Sequence, residues 1–159
     1  MIQIRKSETA DTRTCDFANV SLQTLLESSV QHIGDVRKAL TWFKTELDAA
    51  ADRHDFDKIT DISGFHRDFV TGFKQTEWWD AHRQLNRHHL LNPDGVREDV
   101  DLIDVLDMIA DCVMAGMARS GSVYPLTLDK DVLYRAFEHT VAKLKAQIEV
   151  AETPAQETR

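Results

Sequence analysis

Between residues 21 and 51 apolar side chains recur every three or four positions, at Leu22, Leu25, Leu26, Val30, Ile33, Val36, Leu40, Phe43 and Leu47. That interval matches the 3.6-residue turn of an α-helix and predicts one long amphipathic helix, with Gly34 as the one place where it would kink. A second long stripe, Leu102, Ile103, Leu106, Ile109, Ala110, Val113, Met114 and Met117, predicts a helix over 100–119. A third, running from Val132 to Ile148, predicts a last helix over 128–150. Two shorter periodic stretches stand between the long ones: 65–74, with Phe65, Phe69, Val70 and Phe73 on one face, and 77–91, anchored by Trp78 and Leu85. The breaks are read from turn chemistry: residues 60–64 ending in Gly64, the run Asn92-Pro93-Asp94-Gly95, and Ser120-Gly121-Ser122 with Pro125. Ahead of the helices, Ile2 and Ile4 alternate with polar residues in a short strand or arm within residues 1–20. The polar end, 151–159, is expected to fray. The pattern is that of an all-α chain forming one domain over residues 1–159.

Composition narrows the partners. The 159 residues carry a formal net charge of -8. A surface of that sign repels polyphosphates and anionic membranes, so it excludes an extended nucleic-acid surface and requires a focused positive site for any anionic ligand. No stretch approaches the ~18 apolar residues of a membrane span, and the start has no apolar leader core, so a cytoplasmic protein is expected. The two cysteines, Cys15 and Cys112, have no paired spacing and read as reduced packing thiols.

The candidate chemistry lies in the histidines, seven in all. His54-Asp55 stands just after the first long helix, and Trp79-Asp80-Ala81-His82 and Asn86-Arg87-His88-His89 follow. Imidazoles with adjacent carboxylates are the ligand chemistry of a divalent cation. On a helix over 77–91, His82, Asn86 and His89 share one stripe at i, i+4 and i+7, with His88 a quarter turn away, a face suited to a metal or a phosphate. Asp104, Asp107 and Asp111 line one flank of the helix over 100–119 with no basic residue between Arg97 and Arg119. Stacked carboxylates repel unless a cation or the histidines answer them. His32 leans toward the apolar stripe of the first helix, and His139 faces away from that of the last, toward the surface.

The order of these residues resembles the ligand order of the HD-domain superfamily of metal-dependent phosphohydrolases. More closely, it is similar to a family of small uncharacterised proteins of phages and bacteria. That family's pattern is matched here by His32, by His54-Asp55-Phe56-Asp57-Lys58, by Trp79, His82, Asn86, His88 and His89, and by Asp107-Met108-Ile109-Ala110-Asp111. The resemblance covers roughly residues 25 to 119. It implies a compact HD-domain-like bundle of about five to six helices.

Carried over by position, the resemblance implies His32, His54, Asp55 and Asp111 as metal ligands, with Asp107 as the alternative fourth ligand or a carboxylate behind one. His82 and His89, with His88, would bind a second cation or the phosphate. Lys58 stands where many catalytic members have an acidic residue, so Asp57 or a histidine of the His82 helix, His82 first, would have to serve as general acid and base, with Lys58 holding a substrate oxygen as a point charge. Lys58, His66, Arg67, Arg83, Asn86, His88 and His89 would contact substrate. The implied cofactor is a divalent ion, Mn, Fe, Zn, Co, Ni or Mg, and the implied partner is a small phosphorylated ligand such as a nucleotide. A homo-oligomer is left open. The expected activity is hydrolysis of a small phosphoester by metal-activated water. Two alternatives stand beside it. One is a binding factor without turnover, holding a nucleotide or a protein around a structural metal. The other is a metal-dependent oxygenase-type enzyme.

Overall fold

The computed structural model describes residues 1–10 and 12–152, and of Thr14 the backbone alone. The chain is all-α, with helices α1 (Leu22–Arg53), α2 (Phe56–Thr60), α3 (Ile62–Phe69), α4 (Glu77–Leu85), α5 (Leu102–Ser120) and α6 (Lys130–Ala146). Two short strands, β1 (Ile2–Arg5) and β2 (Ile148–Ala151), and two 3-10 turns, Thr12–Thr14 and Pro93–Gly95, complete the described elements. None of these helices is long and apolar enough to cross a membrane. The chain divides into two compact units: Met1–Thr45 with Lys143–Arg159, and Glu46–Ala142.

In the first unit β1 and β2 pair in parallel, Ile2 opposite Ile148 and Arg5 opposite Ala151. The side chains of Gln3 and Glu149 bond across the pair. The last periodic helix was expected to reach residue 150. It stops at Ala146 because residues 148–151 extend to meet β1, a pairing no local pattern announces. The fraying expected at 151–159 fails at Ala151, which is paired, and otherwise falls outside the described residues beyond Glu152.

Gly34 does not interrupt α1, which runs unbroken. The chain's N-terminus lies on the polar side of this helix: Gln31 donates to the Arg5 carbonyl at 2.7 Å and Lys38 to the Gln3 carbonyl at 2.8 Å. Ser28 on that helix is buried. The apolar stripe expected to be core is instead largely exposed, with Leu22, Leu26, Val30 and Leu40 all more than half open.

The core of the second unit is built by α5, α6 and the segment before α5: Leu90, Val100, Val105, Met108, Val132 and Ala136. Val100 and Ala136 are fully enclosed. Two polar side chains of α6 hold that segment in place. The Thr140 hydroxyl accepts from the Leu102 amide at 2.8 Å, and His139 Nδ1 donates to the Val100 carbonyl at 2.9 Å. His139, expected at the surface, is thus a half-buried brace. Helix α5 begins in a capping box, in which Asp101 accepts from the Ile103 and Asp104 amides while Asp104 accepts from the Asp101 amide. It ends at Gly121, whose φ of 68° is the left-handed conformation that closes helices.

Residues 60–64, expected as a loop, instead close α2 and open α3, and Asp61 caps the Gly64 amide. Glycine is required there, because a Cβ would lie 2.7 Å from the Trp78 ring. Helix α3 ends at Phe69, short of the expected residue 74. The chain then turns through left-handed Gly72, Phe73 and Thr76. Helix α4 has no side-chain cap of its own. The buried Asp68 supplies it, accepting from the Thr76 and Trp79 amides at 3.0 Å each. One carboxylate thereby sets the start of the helix that carries His82.

Candidate metal centre

Four segments of the second unit converge on Asp55. Asp55 follows the end of α1 in a left-handed conformation, φ 54°, a strained geometry that aspartate tolerates better than most residues. Its amide donates to Asn86 Oδ1 at 3.0 Å, which pins the backbone. The carboxylate faces several imidazoles: Oδ1 lies 3.3 Å from His82 Nε2 and 3.6 Å from His88 Nε2, and Oδ2 lies 3.6 Å from His54 Nε2. Lys58, one turn along α2, donates to Oδ2.

Two of these rings are held from behind by carboxylates. Asp57 Oδ2 lies 2.8 Å from His82 Nδ1, and Asp107 Oδ1 lies 2.7 Å from His54 Nδ1. A carboxylate only accepts, so both Nδ1 atoms donate, and each Nε2 faces Asp55. Asp57 is one of the residues that the resemblance implies as general acid and base. It is buried, and its other oxygen accepts from Asn86 Nδ2 at 2.9 Å, so both oxygens are engaged and the carboxylate orients His82.

Helix α4 ends at Leu85, not at 91, which corrects the helical stripe of His82, Asn86 and His89. Asn86 leaves the helix at φ -91°, ψ 109°. Its amide group bonds Asp57, the Asp55 amide and the His82 carbonyl at once, and a helical continuation would break that set. The turn that follows brings in His88, which a helix would have pointed away. His88 is buried, stacks on His54 with centroids 4.4 Å apart, and places Nδ1 3.5 Å from Asp107 Oδ2. His89 packs edge-on to His82 at 4.8 Å.

Burial favours the neutral rings of His88 and His89. Burial, reinforced by His88 and His82, pushes His89 down to about 4. Burial also lowers His88, against the opposing pull of Asp107. Burial pushes the Asp55 carboxyl up, but Lys58, His54 and His82 outweigh it and hold the group below the ordinary carboxylate value. Near neutral pH the cluster therefore offers a carboxylate and neutral His88 and His89.

Four buried polar atoms here have no hydrogen-bond partner: Asp55 Oδ1, His82 Nε2, His88 Nδ1 and His89 Nε2. Two donor groups, His54 with Asp55 and His88, and Asp55 with His82 and His89, each keep their ligand atoms within 4.8 Å of one another. Donors that bind one cation at about 2.1 Å lie about 3 to 3.5 Å apart, so the spacings around Asp55 Oδ1 fit a shared ion. The donor set also fits, since neutral imidazoles with carboxylates suit Mn, Fe, Co, Ni or Zn better than Mg, which prefers oxygen.

The remaining expected residues fall in different places. Asp107 backs His54, and Asp111 Oδ1 stands 4.0 Å from His54 Nε2, at the edge of the cluster. The acidic flank of α5 is answered by the two histidines at Asp107 and by Arg87 at Asp104, at 2.7 and 2.9 Å. Arg83, expected to contact substrate, is taken by Asp80 and Asp94 at 2.6 Å each. Asn86 is a buried brace rather than an accessible substrate contact. His66 and Arg67 are exposed on α3. Arg67 lines a cleft of about 250 Å³ with Gly64, Asp68, Gln75, Glu77 and Trp78. His32 belongs to the first unit, is exposed, and enters neither donor group.

Sequence reasoning missed the tryptophans that enclose His82. The rings of Trp78 and Trp79 stack on it, centroids 4.8 and 5.2 Å away. Their helical spacing of four and three residues before His82 carried that signal. Asp68 left none, because its partners lie beyond a turn. Comparison with protein-family models, curated proteins and solved structures finds no match to this chain.

Proposed function

We propose that the cluster around Asp55 holds a divalent cation and that the protein is a metal-dependent phosphohydrolase acting on a nucleotide or a similar small phosphoester. The observation that carries the metal reading is that Asp55 Oδ1 and His82 Nε2 face each other at 3.3 Å, both buried and both without a hydrogen-bond partner, inside two groups of donors that share Asp55. Each such atom costs about 1 to 3 kcal/mol if left unsatisfied, and a shared cation relieves several together. His54, Asp55, His82, His88 and His89 would hold it, with Asp111 at the rim. When bound, the ion supplies Lewis acidity and lowers the pKa of its water toward about 7. Asp57 and Asp107 keep His82 and His54 in the ligating tautomer. Trp78 and Trp79 exclude water from the His82 ring. The cation also answers the charge problem, giving a protein of net charge -8 a local attraction for a phosphate.

A second reading has its own support. Asp57 is bound on both oxygens and Lys58 sits on Asp55, so neither stands free as a general acid or base. A factor that binds a phosphorylated ligand without turnover fits that arrangement. The test is elemental analysis of the purified protein and of Asp55→Ala, followed by a nucleotide phosphatase panel with Mn, Co, Ni and Mg. Stoichiometric metal in the parent, its loss in the variant, and metal-dependent release of phosphate are expected. Metal with ligand binding but no turnover would select the second reading, and oxygen consumption would select oxygenase chemistry. A parent that takes up no metal under any loading condition would remove the proposal.

A further inference from the structure

The side chain of Lys58 is the unexplained part of the site. It reaches back one turn along five-residue α2 to Oδ2 of Asp55, the same carboxylate on which both donor groups depend. Asp55 cannot turn away easily, because its left-handed backbone is pinned by Asn86. Lys58 is the movable partner. Its side chain is about one-third exposed, and its ammonium lies 6.0 Å from the centre of the Phe65 ring, a second seat for a cation. In the His54, Asp55 and His88 group, an ion drawing on Oδ2 would meet the ammonium at contact distance.

We infer that Lys58 is an internal competitor for the cation site: its ammonium occupies Asp55 Oδ2 and is released when a divalent ion binds. This rests on the metal reading above. Two positive charges cannot both sit on one carboxylate oxygen without strong repulsion, so cation uptake and the Lys58–Asp55 ion pair oppose each other. The released ammonium, on a flexible four-carbon stem, is then available to an anionic ligand drawn to the ion. Binding of the ion and exposure of Lys58 are therefore linked, each favouring the other.

Two measurements on the full chain test this without using turnover. The first is Mn(II) affinity, by titration calorimetry, of the parent and of Lys58→Met, which keeps the apolar stem over Phe65. The variant is expected to bind at least about fivefold tighter, the scale of a partly exposed ion pair that no longer has to be displaced. The second needs no variant. Acylation of Lys58 by an amine reagent, followed by mass spectrometry, should rise severalfold when the parent is saturated with Mn(II), while other lysines stay constant. Equal or weaker affinity in Lys58→Met, or Lys58 labelling that does not rise on saturation, would overturn the inference and leave the metal reading standing. Failure of both proteins to bind Mn(II) or any other divalent ion would overturn the two together.

Discussion

Asp57 and His82 are joined by a 2.8 Å hydrogen bond, yet they stand 25 residues apart, and both are buried. The bond makes Nδ1 of His82 the donor to Asp57 and turns Nε2 toward Asp55, 3.3 Å away. Asp107 does the same for His54. Two histidines are thus aimed by carboxylates that do not themselves face the shared oxygen.

Asp57→Asn is expected to lower divalent-metal affinity about 10- to 100-fold while leaving the helical content intact, because the acceptor that sets the His82 tautomer is weakened. Competition titration against a chelator of known affinity, with circular dichroism as the folding control, reads this directly. An unchanged affinity would show that Asp57 does not orient a ligand.

Asp68→Ala removes both acceptors at the start of α4 and leaves the Thr76 and Trp79 amides without their bonds. A loss of about 1 to 2 kcal/mol is expected from urea unfolding midpoints, the range for a lost helix cap. Secondary loosening of metal binding should follow, since His82 rides on the same helix.

Acidification should destabilise the metal-free protein. His89 has a folded pKa of about 4 against 6.5 in the unfolded chain, so between those values the unfolded state binds more protons. Stability supplied by neutral His89 is present above about 6.5 and falls as pH drops toward 4. Denaturation midpoints at pH 7 and pH 4.5 should differ in the parent and differ less in His89→Gln. An equal pH dependence in both would assign the effect to other groups.

Arg87→Met leaves Asp104 buried at the start of α5 without the guanidinium that bonds both its oxygens. A destabilisation of about 2 to 3 kcal/mol is expected from chemical denaturation, the range for hydrogen bonds to charged groups. Asp107 lies one turn further along α5, so a weaker His54–Asp107 contact should appear as reduced metal affinity. Intact stability in the variant would show that the ion pair is only a surface contact.

The long helices were readable because their signal is local. Apolar recurrence placed one over 21–51 and another over 100–119, against Leu22–Arg53 and Leu102–Ser120. Periodicity misplaced the end of α4 and the last strand for one physical reason. Asn86 leaves the helix to bond residues some thirty positions earlier, and residues 148–151 extend to meet the opposite end of the chain. Distant partners overrode local preference in both cases. The same limit applies to α1, whose apolar stripe spoke for burial while its polar side took up the N-terminal strand.

For the site, the sequence by itself determined the kinds of group present: several imidazoles, an Asp beside one of them, and an acidic flank with no local counter-charge. Only the tertiary structure decided their roles. It made Asp55 the shared carboxylate, turned Asp57 and Asp107 into braces, consumed Arg83 in ion pairs, drew the buried His88 inward and left His32 outside both donor groups. The reason is that ligand chemistry belongs to a residue, whereas a lone pair's direction and a charge's partner depend on neighbours that only folding supplies.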